Sequence, residues 1–380
     1  MRIAQVAPLT ESVPPHGYGG TERVVSYLTE ELVIEGHQVT LFASGDSQTS
    51  AELVACSPRA LRLDDDVIDR FAHQVVQLEA VAAQANRFDI IHYHLDYFHF
   101  SMSRRLGVPH VTTLHGRLDI PDLQPVYDEF AEMPVVSISN DQRRPLPQAN
   151  WVATVHHGLP LNEFKPRYDP GGYLAFLGRM SPEKRADRAI EVARRAGMPL
   201  RIAAKVDDVD RAYFEERIEP MLEADHVEFI GEIGGRQKAD FLAHATALVF
   251  PIDWSEPFGL VMIEAMACGT PVIAYRSGSV PEVITDGVNG FIVGNIDEMV
   301  AAVGRLDQVD RRGCRQAFED RFAAPRMARD YVALYEKLVA AHTNIPILGE
   351  SKPHRPSSLS GACRLAAANR KPEADGHPGQ

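Results

Sequence analysis

Short apolar runs alternate with longer amphipathic stretches along most of the chain. The runs at 2–7, 38–43 and 89–94 are largely apolar, as expected of buried strands. Between the first two, residues 21–35 repeat apolar positions with the period of a helix. Strands that alternate with helices in this way are typical of a parallel sheet covered on both faces. The pattern therefore predicts an α/β protein.

The alternation runs twice along the chain, with a break near the middle. Residues 166–172 are polar and turn-rich, which is typical of a linker between domains. Before the linker, further strands are predicted at 110–115, 134–139 and 151–156. After it, strands are predicted at 173–177, 199–204, 227–230, 247–250, 271–275 and 290–293. We therefore predict two domains, 1–166 and 167–320.

The carboxyl-terminal pattern separates a last helix from a tail. Apolar positions recur with helical spacing up to residue 338, which predicts a helix over 321–342. From about Ile345 the chain is rich in proline, serine, glycine and alanine without periodicity. Because such a composition buries too little apolar surface to order itself, we expect residues 343–380 to form a disordered tail.

Composition narrows the class of protein. The 380 residues are 45% hydrophobic and 24% charged, as in ordinary globular proteins. The net charge of −13 argues against a nucleic-acid partner held by a general basic field. No apolar run suits a signal peptide or a membrane span, which predicts a cytoplasmic protein without an integral membrane segment. The scattered Cys56, Cys268, Cys314 and Cys363 predict neither a disulfide framework nor a zinc site.

Residues 254–269 carry the densest chemical signal in the second domain. They lie between two predicted strands and contain a short helical pattern, which predicts a βαβ unit. Pro257 suits the first helical position, so Glu256 is expected to cap the helix and to stay ionised there. Glu264 lies eight residues on, roughly 12 Å along a helix axis at ~1.5 Å per residue. Two carboxylates at this separation are suited to binding the two ends of one extended ligand.

A purely structural interpretation of the two glutamates remains open, with Glu256 a helix cap and Glu264 a surface residue. However, Glu264 is flanked on both sides by apolar residues, where a carboxylate is costly without a partner. The backbone of Phe258, Gly259 and Leu260 also presents N–H groups at a helix start, beside a glycine that permits close approach. That arrangement favours binding of an anion.

Residues 256–273 read Glu-Pro-Phe-Gly-Leu-x-x-x-Glu-Ala-Met-Ala-x-Gly-x-Pro-Val-Ile. This run resembles the E-x7-E signature of retaining GT-B glycosyltransferases of family GT4, also called glycosyl transferases group 1. The resemblance covers about residues 1–342. It implies two Rossmann-like domains facing across a cleft, with a C-terminal helix crossing back. The implied reaction moves a sugar from a UDP-, GDP- or ADP-sugar to an unspecified acceptor hydroxyl, with retention and without a metal or other cofactor.

Arg179 and Lys184 flank a helix that the sequence predicts to open at Ser181-Pro182. Two cations at a positive helix end are unfavourable by ~0.3–1 kcal/mol each when exposed, and an anionic ligand reverses that sign. A solvated basic turn is the alternative, since Glu183 is also present. The Gly-Arg-x-x-x-x-Lys spacing is similar to the GT4 pattern that holds the donor diphosphate. The resemblance therefore implies that Arg179 and Lys184 stabilise the departing diphosphate.

A glycine-rich loop follows the first strand. A dinucleotide fingerprint needs Gly-x-Gly-x-x-Gly, but Glu22 stands where the last glycine would be, which disfavours a dehydrogenase. We expect Gly19 and Gly20 to help cradle phosphate, with a plain flexible turn as the alternative. His115 ends a predicted strand, where ligands bind in open α/β sheets, although a lone histidine is often structural. It matches the family histidine that approaches the donor sugar.

The resemblance assigns further roles in the site. Glu264 would accept hydrogen bonds from the ribose hydroxyls, and Glu256 would bind sugar hydroxyls and stabilise oxocarbenium-like charge. Glu232 lies where the family contacts the nucleotide base, and the backbone of 258–260 would help hold the diphosphate. Because no second carboxylate is evident as a nucleophile, the family pattern implies front-face departure with the leaving phosphate as base.

Two groups of candidate metal ligands are present, and we assign a metal to neither. The period-two group, with large aromatic neighbours, is expected to line the interdomain cleft; it consists of His92, His94, Asp96 and His99. Asp208-Val209-Asp210 spells the Asp-x-Asp of metal-dependent GT-A transferases, but it lies in an acidic segment of the second domain. Neutralisation of the diphosphate by lysine removes the need for a divalent ion.

Two departures from the family pattern bear on selectivity. His156-His157-Gly158 replaces a Pro-Asn-Gly turn, and Ala203-Ala204-Lys205 replaces a glycine-containing turn. We expect acceptor contacts from the loops 44–66 and 116–130. Two other classes stay open: a sugar-nucleotide epimerase or phosphorylase of the same fold, and a non-catalytic nucleotide-sugar-binding protein. The E-x7-E helix disfavours the epimerase, and the short length and lack of a cofactor-lysine context disfavour the phosphorylase. The presence of both glutamates and both cations disfavours the non-catalytic protein.

Overall fold

The computed structural model describes residues 1–17, 19–169 and 171–343, so the tail predicted at 343–380 lies outside these residues apart from Thr343. Two sheets form, and within each of them every neighbouring pair of strands is parallel. The strands of the first sheet are β1 Arg2–Val6, β2 Gln38–Ser44, β3 Glu52–Ser57, β4 Ile90–Tyr93, β5 His110–Thr113, β6 Val135–Ser137 and β7 Trp151–Thr154. Their spatial order is β3-β2-β1-β4-β5-β6-β7. Its helices are α1 Gly20–Ile34, α2 Arg70–Ala82, α3 Phe100–Leu106 and α4 Gln124–Glu129.

The second sheet repeats the plan. Its strands are β8 Tyr173–Arg179, β9 Leu200–Lys205, β10 Val227–Gly231, β11 Ala245–Phe250, β12 Val272–Tyr275 and β13 Gly290–Val293, in the order β10-β9-β8-β11-β12-β13. The helices that follow β8 are α5 Ala186–Ala196, α6 Arg211–Tyr213, α7 Gly235–Ala243, α8 Leu260–Ala267, α9 Val280–Val283, α10 Ile296–Val303, α11 Arg311–Arg321 and α12 Ala324–Thr343. Two parallel-sheet α/β domains confirm the predicted fold class. The exact domain boundaries remain predictions.

The last helix returns to the first sheet, as the predicted fold requires. Tyr331 and Tyr335 of α12 are almost completely buried. The Tyr331 hydroxyl lies 2.8 Å from Thr113 Oγ1 of β5, and the Tyr335 hydroxyl lies 2.6 Å from His92 Nδ1 of β4. A buried hydroxyl needs such partners, so these bonds fix where the helix docks.

Strand β3 was not predicted, because residues 44–66 were interpreted as an acceptor loop. The segment pairs with β2, with Leu53 beside Leu41, at the edge of the first sheet. Its residues are only partly buried, so their pattern lacks the apolar run that marks the central strands. The other expected loop, 116–130, contains α4. Both segments therefore carry regular structure that the sequence interpretation missed.

Candidate active site

One cleft, with a volume of about 420 Å³, collects every residue that the sequence predicted for the site. The first half of the chain contributes Gly19, Gly20 and His115, and the second half contributes Arg179, Lys184, Glu232, Glu256, Phe258, Gly259, Leu260 and Glu264. Most of these residues lie at or just beyond the carboxyl ends of parallel strands, where open α/β sheets bind ligands. The roles given to them individually remain predictions.

The prediction that Glu256 caps a helix is wrong. Helix α8 begins at Leu260, and the residue before it, Gly259, has a φ of 77°. Glycine adopts this left-handed conformation without strain, and it turns the chain before the helix starts. A Cβ at Gly259 would lie 2.8 Å from Met262 Cε and 3.3 Å from Glu256 Cγ, so the turn also needs the space. Glu256 is thereby released from the helix and faces the cleft.

Lys184 and Glu256 form an ion pair at the centre of the cleft. Trp254 Nε1 donates a second hydrogen bond to Glu256, 3.1 Å long. The Lys184 ammonium also lies over two aromatic rings, 4.9 Å from the Trp254 centroid and 5.6 Å from that of Phe250. Each charge of this largely buried pair is compensated by the other, so a ligand anion that binds Lys184 frees the Glu256 oxygens for other donors.

Glu264 has a lysine partner that the sequence interpretation missed. Helix α8 is almost entirely buried, and Glu264 itself is only 4% exposed. Lys238 of α7 donates a hydrogen bond from Nζ to Glu264 Oε1, and its charge compensates for the cost of burying that carboxylate. The apolar surroundings of Glu264 already implied a cationic partner. Which cation pairs with Glu264 depends on how α7 packs beside α8, and the sequence alone does not show this packing.

Arg179 ends β8 and is held by two carboxylates. It forms ion pairs with Glu183 and with Asp210, where Arg179 Nε and Asp210 Oδ2 are 3.2 Å apart. Asp210 belongs to the Asp-x-Asp sequence, so part of that motif contacts an arginine of the cleft. Burial raises the pKa of Asp210, and the nearby Arg179 opposes the shift.

The helix predicted to open at Ser181-Pro182 begins later, at Ala186. Residues 181–184 instead form a turn, closed by a 3.1 Å hydrogen bond from Lys184 N to Ser181 O. Arg185, with a left-handed φ of 57°, separates this turn from the helix. Because of the turn, Lys184 approaches Glu256 from beside the helix rather than from its first residues.

The glycine loop of the first half reaches the opposite wall of the cleft. A Cβ at Gly20 would lie 3.6 Å from Leu260 Cδ1, and one at Gly17 would lie 3.1 Å from Glu232 Oε1. Helix α1 begins at Gly20, so its first amide groups open into the cleft. Across the gap, the amides of 258–260 have no protein acceptor in the parts of the chain that the structure describes. Such amides suit an anionic ligand.

His115 lies two residues beyond β5 and forms part of the first-half wall. Its Nε2 is 2.8 Å from His94 Nδ1, and its ring stacks on His157 with centroids 5.3 Å apart. Burial lowers the pKa of His115 to about 3. The pKa of His157 also lies well below its usual value, mainly because of burial. His157, which the sequence analysis noted only as a departure from the family turn, therefore lines the cleft as a neutral ring.

The expectation that His92, His94, Asp96 and His99 line the cleft is wrong, because none of the four is among its lining residues. His92 and His99 are fully buried inside the first domain. His92 bonds to the Tyr335 hydroxyl and to Thr113 Oγ1, and His99 bonds to Ser103 Oγ and Thr112 Oγ1. Across residues 1–17, 19–169 and 171–343, no three His, Cys, Asp or Glu side chains are grouped as metal ligands.

Two family profiles match the chain. The profile described as Glycosyltransferase Family 4 matches residues 18–194, and the profile described as Glycosyl transferases group 1 matches residues 162–309. The two matches overlap and together include both walls of the cleft. Two parallel-sheet domains with a cleft fit the GT-B fold, and the two profile matches identify the chain as a glycosyltransferase. The chain belongs to the GT4-type glycosyltransferases.

Known proteins share this architecture over most of the chain. A D-inositol 3-phosphate glycosyltransferase from Streptomyces scabiei is 26% identical over 356 residues, covering 77% of this chain and 79% of that one. The sucrose-phosphate synthase of Thermosynechococcus elongatus has a TM-score of 0.71 at 22% identity, covering 90% of this chain and 100% of that one. HepE from Anabaena in complex with UDP-glucose has a TM-score of 0.65 at 17% identity, with coverages of 90% and 100%. Among the described residues, no helix is long and apolar enough to cross a membrane.

Proposed function

We propose that this glycosyltransferase takes a nucleoside-diphosphate sugar as donor, transfers the sugar with retention, and needs no divalent metal. The observation that carries the proposal is the convergence of Arg179, Lys184, Glu256 and Glu264 on one cleft. The two cations suit a diphosphate, and the two carboxylates suit the hydroxyl groups on either side of it. An epimerase or a non-catalytic binding protein is disfavoured by the family matches.

The donor diphosphate would bind between Lys184 and the amides of 258–260. It would replace Glu256 as the partner of Lys184, which costs little because one anion takes the place of another. The Glu256 oxygens then accept hydrogen bonds from the sugar hydroxyls. Glu264, oriented by Lys238, would accept from the ribose hydroxyls, and Glu232 would lie beside the base.

The reaction would follow front-face departure. The bond from the anomeric carbon to the phosphate oxygen breaks, and the acceptor oxygen forms its bond to the anomeric carbon on the same face. The leaving phosphate takes the acceptor proton, so no side chain acts as base. Arg179 and Lys184 stabilise the charge that develops on the phosphate, and Glu256 stabilises the positive charge on the sugar. These two cations take the part that a divalent ion plays elsewhere.

The donor hypothesis is tested by calorimetric titration with UDP-, GDP- and ADP-glucose, each with and without EDTA. UDP-glucose comes first because the structurally similar HepE was solved with it. We expect one nucleotide to bind equally well with EDTA, and Glu264→Gln to weaken that binding by about tenfold, as for loss of a charged hydrogen bond. Glu336→Gln on the exposed face of α12 is the control. Absence of binding by all three donors would refute the proposal.

Retention is tested separately, once an acceptor is found. The acceptor screen begins with D-inositol 3-phosphate, because several relatives are named D-inositol 3-phosphate glycosyltransferases. Proton NMR of the product from an α-linked donor is expected to show an α-linkage. A β-linked product would contradict front-face departure while leaving the donor assignment intact.

A further inference from the structure

A chain of buried hydrogen bonds runs from the cleft into the core of the first domain. His115 Nε2 lies 2.8 Å from His94 Nδ1, and His94 Nε2 lies 2.8 Å from Gln5 Oε1. Gln5 Nε2 in turn lies 3.2 Å from the Tyr335 hydroxyl of α12. Gln5 and Tyr335 are fully buried, and His94 is 3% exposed. Only His115 reaches the cleft wall, so the other members act on a ligand through it.

The direction of these bonds sets the tautomer of His115. Gln5 donates to Tyr335 through its amide nitrogen, so it presents to His94 an oxygen that can only accept. His94 Nε2 therefore carries a hydrogen. Burial keeps the pKa of His94 well below its usual value, so the ring is neutral and its Nδ1 can only accept. His115 must then donate from Nε2, which leaves its own Nδ1 as a lone pair.

The same direction continues beyond Tyr335. Because this hydroxyl accepts from Gln5, it can donate to His92 Nδ1, 2.6 Å away. His92 Nε2 can then donate to Thr113 Oγ1 at 2.7 Å, and Thr113 to the Tyr331 hydroxyl at 2.8 Å. Every donor in the series points away from the cleft. The orientation of Gln5 is thus consistent with all the bonds that follow it.

His115 Nδ1 is the terminal atom of this hydrogen-bond series on the side of the cleft. It is a buried polar atom without a hydrogen-bond partner in the described part of the chain. Buried polar atoms normally have partners, and because His115 lines a binding cleft, a ligand is the group that would supply one. A neutral acceptor there can take a hydrogen bond from a hydroxyl group. It also adds no positive charge near a sugar that becomes cationic in the transition state.

We propose that Gln5 and His94 are positioning residues that hold His115 as the Nε2–H tautomer, so that Nδ1 accepts a hydrogen bond from a hydroxyl of the transferred sugar. The sugar contact rests on the proposed function, whereas the tautomer is a property of the chain alone. Neither Gln5 nor His94 needs to touch the substrate.

The tautomer is measured first, on the full-length chain labelled with ¹⁵N-histidine. Two-bond ¹H–¹⁵N correlation spectra distinguish a ring protonated at Nε2 from one protonated at Nδ1, and His115→Gln assigns the signal. We expect the Nε2–H pattern in the wild type. In Gln5→Leu, which removes the acceptor that orients His94, we expect a mixture of both patterns. An Nδ1–H pattern in the wild type, or an unchanged pattern in Gln5→Leu, overturns the proposal.

Ser103→Ala is the matched control. It removes the hydroxyl partner of another buried histidine of the first domain, His99, whose partners are separate from this series. A merely structural effect of disturbing a buried polar group would appear in both variants. We expect the His115 signal to be unchanged in Ser103→Ala. A change as large as that in Gln5→Leu would contradict a specific role for Gln5.

Kinetics then test the sugar contact. Donors that lack one hydroxyl of the sugar are compared with the parent donor, position by position. For the wild type, one deoxy donor is expected to lose roughly threefold to tenfold in kcat/KM, the worth of one neutral hydrogen bond. Because Gln5→Leu is expected to populate both tautomers, it should lose part of that factor with the parent donor and be less sensitive than the wild type to removal of the hydroxyl. Equal losses in both enzymes for every deoxy donor would overturn the contact, while the spectra would still report the tautomer if no donor reacted.

Discussion

The two walls of the cleft differ in their polar groups. The second-half wall is made of charges in pairs, Lys184 with Glu256 and Lys238 with Glu264. The first-half wall combines glycine backbone and neutral imidazole rings, of which His115 is the best defined, with the cations Arg23 and Arg117. Among the described residues that line the cleft, the carboxylates all belong to the second half.

This difference indicates where each part of a donor would be held. A diphosphate needs full positive charges, and these come at low cost where carboxylates keep them compensated while the cleft is empty. A sugar ring needs hydrogen bonds without net charge, and buried histidines supply them because burial keeps them unprotonated. Under the proposed function, the contrast would separate binding of the leaving group from orientation of the sugar.

Loss of a cation from the second-half wall is expected to have the largest effect. Lys184→Ala removes a positive charge that would stabilise the departing diphosphate and also leaves Glu256 without its ion-pair partner. We expect kcat/KM to fall by about 10²–10³, as when one preorganised electrostatic donor is removed elsewhere. Steady-state kinetics measure it, with Lys337→Ala on the exposed face of α12 as control. A fall of less than about threefold would place the diphosphate elsewhere.

The second charged pair is expected to matter for stability as well. Lys238→Ala leaves Glu264 buried without a cation in an otherwise apolar helix. We expect the free energy of unfolding to drop by about 3 kcal/mol, measured by urea denaturation. The double variant Lys238→Met, Glu264→Leu should recover most of this loss, because both charges are gone. If the double variant were less stable than the single one, the pair would be a net source of stability.

The buried histidines of the first-half wall are expected to affect stability in acid. The pKa of His115 is lowered to about 3 in the fold, so between about pH 6.5 and pH 3 the unfolded chain binds a proton that the folded chain does not. Its contribution to stability is therefore present above pH 6.5 and is lost as the pH falls through this window. As the pH decreases through this window, we expect the free energy of unfolding to fall less steeply in His115→Asn than in the wild type. The difference in slope is expected to be about 1.4 kcal/mol per pH unit. Identical slopes for variant and wild type would mean that His115 titrates normally.

A smaller effect of opposite sign is expected from a buried acid in the same domain. Asp96 follows β4, has a left-handed φ of 49°, and has a pKa raised by burial to about 6. Because the fold favours the protonated acid, its ionisation destabilises the protein as the pH rises from about 4 to 6. Asparagine tolerates the same backbone conformation. We expect Asp96→Asn to stabilise the protein by about 2 kcal/mol at pH 7.5 and not at pH 3.5, allowing for partial solvent access.

The fold was accessible to sequence analysis because periodicity is a local property. Apolar runs marked all the central strands, whereas the half-exposed β3 lacked that mark. The local turn at Gly259 was missed because a proline two residues earlier also suits a helix start. The partners of the site residues were inaccessible for another reason. Lys238 reaches Glu264, and Tyr335 reaches Gln5, only through the packing of separate elements.

The bond between Gln5 and Tyr335 joins positions that are 330 residues apart in the chain. Because β1 is translated long before α12, the first domain leaves the ribosome while Gln5 Nε2 and His92 Nδ1 still lack their tyrosine partner. That layer of hydrogen bonds closes only after residue 335 has been translated. A shortened protein that stops at the end of β7 would therefore lack part of its own interior, and the amino-terminal half is not expected to be a self-sufficient folding unit.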